Sequence, residues 1–127
     1  MRDEQVRRYA RHILLPDIGG LGQTALMVSA AHLELRESEP AAELIAAAYL
    51  AAGGVGTLAI NGADERQLAI ISTHGPDSKI VTTTHGRPVA LAPRPPWWPA
   101  APDDDQALAF WRGGLAAVRW MADVANR

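Results

Sequence analysis

The middle of the chain switches from a strand pattern to a helix pattern and back, and this feature constrains the fold most strongly. Residues 31–37 (AHLELRE) alternate apolar and polar side chains, as a half-buried strand does. Residues 40–52 (PAAELIAAAYLAA) are rich in alanine and begin with proline, which suits the first helical position. Gly53 and Gly54 predict the end of that helix, and residues 55–61 (VGTLAIN) predict a buried strand. A strand, a helix and a strand joined by short turns form a βαβ unit with parallel strands.

Three short apolar runs follow the βαβ unit and predict further strands, so that this region extends over residues 31–92. The runs are QLAIIS at 67–72, SKIVTTT at 78–84 and RPVALAP at 87–93. Turn residues between the last two runs would also allow them to pair as a hairpin. We therefore predict an α/β fold, with a truncated Rossmann-like sheet of four to five strands and flanking helices.

Both ends of the chain are predicted to be helical. Apolar residues at intervals of three to four predict N-terminal helices within residues 1–28. Prolines make residues 93–102 an extended connector, and residues 103–127 carry the apolar stripe of a helix. The pair Gly113–Gly114 in that helix would allow another backbone to approach closely. We expect a single domain over residues 1–127.

The composition argues against several classes of function. A net charge of −2 gives no electrostatic case for binding nucleic acid. The absence of cysteine excludes disulfides, thiolate metal sites and a cysteine nucleophile. No metal site is predicted, because none of the four histidines has partners at metal-ligand spacing. No apolar run approaches the roughly 20 residues of a membrane span, and the charged N-terminus is unlike a signal peptide. We therefore expect a cytoplasmic protein that binds neither membrane nor nucleic acid.

Two stretches carry a more specific pattern. The first, residues 8–26, reads RYARHILLPDIGGLGQTAL, and the second, residues 49–60, reads YLAAGGVGTLAI. Both resemble the ThiF/MoeB/HesA family, bacterial relatives of ubiquitin-activating enzymes, which opens with Arg-Tyr-x-Arg-Gln-Ile-x-Leu and a later Gly-Gln pair. The residues that match are Arg8, Tyr9, Arg11, Ile13, Leu15, Gly22 and Gln23. Members of this family use ATP and magnesium to adenylate the C-terminus of a ubiquitin-like sulfur carrier.

The resemblance places a degenerate nucleotide loop before the helix at 40–52. In the family a Gly-x-Gly-Gly-x-Gly loop lies there, and its backbone amides hold phosphate. The residues in that place are Ser38, Glu39, Pro40, Ala41, Ala42 and Glu43. Proline removes an amide donor, and each carboxylate would repel a phosphate at 4 Å by about 1 kcal/mol in water, or about 4 at an effective dielectric of 20. We expect ATP binding to be lost and no cofactor to be bound.

The segment after the strand predicted at 55–61 also lacks a residue with which the family binds the nucleotide. Gly62 replaces the acid that binds the nucleotide ribose, and Asp64 is the acidic position that is retained. The resemblance then implies a pseudoenzyme without catalytic residues, acting as a partner or scaffold subunit in a ubiquitin-like or sulfur-carrier system. It would form a homodimer, or a heterodimer with an intact activating enzyme, with Arg8, Tyr9 and Arg11 facing the partner.

Two alternatives stay open at this point. Arg11 could complete the ATP site of a partner subunit, as the second arginine of the Arg-Tyr-x-Arg motif does in the family, or it could form a structural ion pair. The chain could also be a homodimeric protein that binds a small ligand in the residual crevice.

Overall fold

A four-stranded parallel sheet lies at the centre of the fold. The computed structural model describes residues 1–9, 19–35, 40–98 and 105–126. In chain order its elements are α1 (Asp3–Arg8), α2 (Gly19–Met27), β1 (Ala30–Glu34), α3 (Pro40–Ala52), β2 (Thr57–Asn61), α4 (Glu65–His74), β3 (Lys79–Val81), β4 (Arg87–Pro88) and α5 (Asp105–Ala125).

The strands lie in the order β3-β2-β1-β4, and every neighbouring pair is parallel. Helix α3 connects β1 to β2, and α4 connects β2 to β3, so the chain forms two successive βαβ units. This confirms the predicted α/β fold with a truncated Rossmann-like sheet. The bounds of α3 are those predicted from the sequence, and both strands that flank it are present.

Two predictions made for the second half of the chain are wrong. Residues 67–72 belong to α4 and not to a strand. The sequence does carry a helix start there, since Asp64 and Gln67 form a capping box. The runs at 78–84 and 87–93 contribute only short strands, and these lie at opposite edges of the sheet instead of pairing as a hairpin.

The core lies between one face of the sheet and the helices α3 and α5. From the sheet it contains Leu33, Leu58 and Ile60, and from the helices Leu50 and Trp120. Those three sheet residues share one face, because Ala31 of β1 stands opposite Leu58, and Leu33 opposite Ile60.

Helices α3 and α5 touch backbone to backbone. A Cβ atom added to Gly113 would lie 2.2 Å from the carbonyl oxygen of Ala42 and 3.1 Å from the amide nitrogen of Ala46. The sequence prediction that this glycine pair admits a close backbone is confirmed for Gly113. Within the described ranges, no helix combines the length and the apolar character that crossing a membrane requires.

The proline-rich connector is described as far as Trp98. This described part contains a turn, in which the amide of Trp98 donates to the carbonyl of Pro95 at 3.0 Å. The Trp98 ring packs on Trp111 of α5, with 6.3 Å between ring centroids, whereas Trp97 is exposed. The start of the predicted helix at 103–104 lies outside the described residues.

Candidate functional site

The predicted nucleotide loop lies at the carboxyl end of β1, where parallel α/β sheets bind their ligands. Strand β1 ends at Glu34 and α3 begins at Pro40. Ser38 and Glu39 lie outside the described residues, whereas Ala41 and Ala42 occupy the first turn of α3. Ala42 is buried, and Glu43 is only 5% exposed and interacts with other groups of the protein. The first turn of α3 is therefore packed into the domain on the side of these two residues.

The backbone pairing of β1 with β2 continues by one hydrogen bond at the carboxyl edge of the sheet. The amide of Leu35 donates to the carbonyl of Asn61 at 2.8 Å. Gly62 follows with φ +85°, and a Cβ atom added to it would lie 2.6 Å from the Leu35 carbonyl oxygen. Only glycine fits here, so an acidic side chain for a ribose has no room at this position.

Asp64, the retained acidic position, has a structural role at the start of α4. Its carboxylate accepts a hydrogen bond from the amide of Gln67 at 2.8 Å. The side-chain oxygen of Gln67 accepts in return from the Asp64 amide at 3.0 Å. This reciprocal capping box satisfies two amide donors that the helix itself leaves free.

Replacing Asp64 with alanine should lower the free energy of unfolding by about 1 kcal/mol, because the amide of Gln67 loses its acceptor. Urea denaturation followed by circular dichroism measures the change. Asp64→Asn is the matched control and should retain most of the stability, since asparagine caps helices as well as aspartate does. An alanine variant as stable as the parent would show that the cap contributes nothing.

The N-terminal residues Arg8 and Tyr9 bind to the protein's own turn between α4 and β3. The Tyr9 hydroxyl donates to the carboxylate of Asp77 at 3.0 Å, and Arg8 forms an ion pair with the same carboxylate. Arg2 reaches its other oxygen at 3.3 Å. We call Arg2, Arg8, Tyr9 and Asp77 the Asp77 cluster. Arg11 lies outside the described residues.

Next to the Asp77 cluster, the two stretches that carry the family resemblance pack against each other. Gln23 of α2 is fully buried and donates to the carbonyl of Gly53 at 2.9 Å. Gly54 has φ +86°, and a Cβ atom on it would lie 2.6 Å from Nε2 of Gln23 and 2.7 Å from Cζ of Tyr9. Matching residues from 8–26 and from 49–60 therefore form one joint that holds α1 and α2 to the end of α3.

Hydrogen bonds, neighbouring charges and burial shift the pKa values of Asp77, Tyr9 and Arg8 in the Asp77 cluster. Partial burial alone would raise the pKa of Asp77, but hydrogen bonds from Arg8 and Tyr9, and the charges of Arg8 and Arg2, lower the pKa below its ordinary value of 3.8. Burial, together with the hydrogen bond to Asp77, raises the pKa of the Tyr9 hydroxyl. The hydrogen bond to Asp77 also raises the pKa of Arg8.

The lowered pKa of Asp77 predicts a contribution to stability that depends on pH. The carboxylate contributes stability above its ordinary pKa of 3.8, and this contribution is lost as the pH falls through the lowered value. We expect Asp77→Asn to be less stable than the parent at neutral pH and to lose less further stability on acidification below about pH 4. Thermal unfolding across this pH range measures both effects. Asp3→Asn, at an exposed carboxylate of α1, is the control and should change stability at neutral pH by less than about 0.5 kcal/mol.

An open cleft of about 460 Å³ lies between the β4 segment and α5. Its charged lining residues are Arg87, Arg119 and Asp123, and Trp120 adds an aromatic wall. Arg87 and Asp123 form an ion pair, and the Arg87 carbonyl accepts from the Trp120 indole at 3.2 Å.

A metal centre finds no support in the described residues, where no three histidine or acidic side chains lie close enough to bind one ion. His32 of β1 is mostly buried, and its Nε2 atom lies 3.5 Å from Oε1 of Glu34. Its Nδ1 atom is buried and has no hydrogen-bond partner within the described part of the chain.

No protein-family model matches this sequence, and no curated protein matches it either. The resemblance therefore rests on the two motif stretches themselves. Sequence reasoning did not find Asp77, which lies in a Gly-Pro-Asp-Ser turn and is 69 positions from Arg8. The composition of these residues predicts a turn, but nothing in the neighbouring sequence indicates that Arg8 and Tyr9 bind to Asp77.

Proposed function

We propose that the protein is a catalytically inactive relative of the ThiF/MoeB/HesA enzymes, acting as a partner or scaffold subunit in a ubiquitin-like or sulfur-carrier system. The observation that carries the proposal is that the position of the ribose-binding acid, at the carboxyl edge of β1 and β2, has no room for a side chain. There Gly62 lies against the Leu35 carbonyl, and α3 begins with proline in place of a glycine loop.

Adenylation by ATP needs donors for phosphate and acidic ligands for magnesium in this place. Pro40 lacks an amide donor, and the first turn of α3 contains no glycine that would let its backbone approach a phosphate closely. Asp64 uses its carboxylate to cap α4. An ATP site would therefore require several unfavourable changes at once, which is the reason to propose a function without catalysis.

The Asp77 cluster gives the start of the Arg-Tyr-x-Arg motif a structural role within the chain. It fixes the N-terminal helix α1 to the body of the domain through Arg8 and Tyr9, immediately before Arg11 in the sequence. A second candidate function rests on the family resemblance alone: Arg11, which lies outside the described residues, could reach the ATP phosphates of an intact partner. A guanidinium suits that task because it is always charged and binds phosphate with two donors.

The proposal is tested by mixing the purified chain with an intact activating enzyme of this class and a carrier protein that ends in Gly-Gly. Light scattering should show a complex with one of these two proteins, and the chain alone should release no pyrophosphate from ATP. Pyrophosphate release by the chain alone, or the absence of a complex with either protein, would contradict the proposal.

The same mixture separates the two candidate functions. If the chain is a scaffold, Arg11→Ala will leave carrier adenylation in the complex unchanged. If Arg11 acts on the ATP of the partner, its loss should slow adenylation by about 10³-fold or more, as removal of an arginine finger does. Arg7→Ala, at an exposed arginine of α1, is the matched control.

A further inference from the structure

The segment that begins with β4 is attached to helix α5 at two points. At one end, the Trp120 indole donates to the carbonyl of Arg87 at 3.2 Å. At the other end, Nε of Arg112 donates to the carbonyl of Ala92 at 2.8 Å. The open cleft of about 460 Å³ lies between these two hydrogen bonds. Because both ends of its wall are fixed to the helix, the cleft is a preformed feature of the fold.

A small residue of α5 forms the floor of this cleft. Ala116 lies about one helical turn from Arg112 and about one turn from Trp120, so the three residues share one side of the helix. The uncharged residues of the opposite wall are Pro88, Ala90, Leu91, Ala92 and Pro93. A mainly apolar cleft of this size falls within the range of about 300–1,000 Å³ that is usual for small-molecule sites.

The charges that line the cleft are not balanced. Arg87 forms an ion pair with Asp123, whereas Arg119 is exposed and forms no ion pair or hydrogen bond within the described part of the chain. Nη1 of Arg87 is buried and also lacks an acceptor among the described residues, so Asp123 satisfies only part of that guanidinium group. Two arginines against one aspartate leave the cleft with one net positive charge.

We propose that this cleft binds a small organic monocarboxylate with an apolar body. The carboxylate would pair with Arg119, whose planar guanidinium group offers two parallel N–H donors. The apolar body would lie along Ala116 and the Trp120 ring, which both line the cleft. A single negative charge neutralises the cleft, whereas a phosphate ester, with a charge of about −1.5 to −2, would leave excess negative charge beside Asp123.

The cleft is separate from the place where the family resemblance puts a nucleotide. None of its lining residues belongs to the predicted nucleotide loop or to the turn at Gly62. The inference therefore does not depend on the proposed function, and either one can fail without the other. Because the cleft is open, it covers only part of a ligand, and we expect a Kd of about 10⁻⁴ to 10⁻³ M.

Titration of the full chain with phenylpropanoate, followed by NMR of the indole N–H signals, tests the proposal. The signal of Trp120 should shift, and that of Trp97, which is 72% exposed and lies outside the cleft, should not. Arg119→Gln should weaken binding by at least about 10-fold, because a charge-assisted hydrogen bond is lost. Arg66→Gln, at an exposed arginine of α4, is the matched control and should bind like the parent.

Two further probes test the chemical class of the ligand. Phenylpropanamide, the neutral analogue, should bind at least about 10-fold more weakly than phenylpropanoate. Phenethyl phosphate should bind no more tightly than phenylpropanoate, because of its additional negative charge. Equal binding of the amide, or tighter binding of the phosphate ester, would contradict the assignment to a monocarboxylate.

Two results would overturn the site itself. One is a Trp120 signal that does not move at up to about 10 mM phenylpropanoate, a concentration well above the expected Kd. The other is an Arg119→Gln variant that binds the probe as tightly as Arg66→Gln does. Both variants replace exposed side chains, so both are expected to fold, and circular dichroism checks this.

Discussion

Replacing Gly113 with alanine is expected to lower the free energy of unfolding by about 2 kcal/mol. The new methyl group would lie 2.2 Å from the carbonyl oxygen of Ala42 and 3.1 Å from the amide nitrogen of Ala46, both of them backbone atoms of α3. Neither atom can move without separating the two helices, and overpacking of this kind costs about 1–3 kcal/mol. Urea denaturation followed by tryptophan fluorescence measures the change.

The adjacent glycine provides the control with the opposite sign. A Cβ atom on Gly114 would have the Tyr49 ring at 3.7 Å as its nearest neighbour, which is an ordinary contact. Gly114→Ala should therefore raise the free energy of unfolding by up to about 1 kcal/mol, because alanine favours the helix more than glycine does. If both alanine variants were equally stable, the close contact of α3 with α5 would be wrong.

Replacing Tyr9 with alanine is expected to lower the free energy of unfolding by about 3 kcal/mol. Tyr9 is only 2% exposed, and its ring lies against Gly54 while its hydroxyl binds Asp77. Removal of a buried aromatic ring costs about 3–5 kcal/mol in protein cores, and the position of Tyr9 close to the N-terminus favours the low end of that range. Thermal and urea unfolding of the isolated chain measure the loss.

Two further variants show which part of Tyr9 matters. Tyr9→Phe keeps the ring and loses one hydrogen bond, so it should cost only about 1 kcal/mol. Val6→Ala, on the same short helix but 43% exposed, should change stability by less than about 0.5 kcal/mol. If Tyr9→Ala left the isolated chain unchanged, Tyr9 would be available for a partner and the joint described above would contribute no stability.

The part of the fold that depends on local sequence could be predicted. Helix α3 has a proline start, an alanine-rich interior and a glycine stop, and each of these signals acts over a few residues. The segment 67–72 was assigned wrongly because a short apolar run suits both a buried strand and a helix. Strands β2 and β3 pair in parallel, so the chain between them must return along the sheet to the end where β2 began. A helix usually makes this crossover connection, and residues 67–72 lie in the connecting helix α4 for this reason.

The candidate site was predictable only in part, for a similar reason. The absence of glycine before α3 is visible in the sequence, and the structure adds that Gly62 has no room for a side chain. The Asp77 cluster joins side chains that are 68 to 75 positions apart, so no local pattern could announce it. Asp64 matches an acidic position of the family, and its capping partner Gln67 gives it a structural role.

The proposal that the start of α3 binds no nucleotide is tested most directly by isothermal titration calorimetry of the purified chain with ATP and magnesium. We predict no saturable heat up to about 1 mM ATP, which corresponds to a binding free energy no stronger than about −4 kcal/mol. A one-to-one isotherm with a micromolar Kd, weakened by Ala41→Glu at an exposed position in the first turn of α3, would contradict the claim that this turn cannot hold a triphosphate.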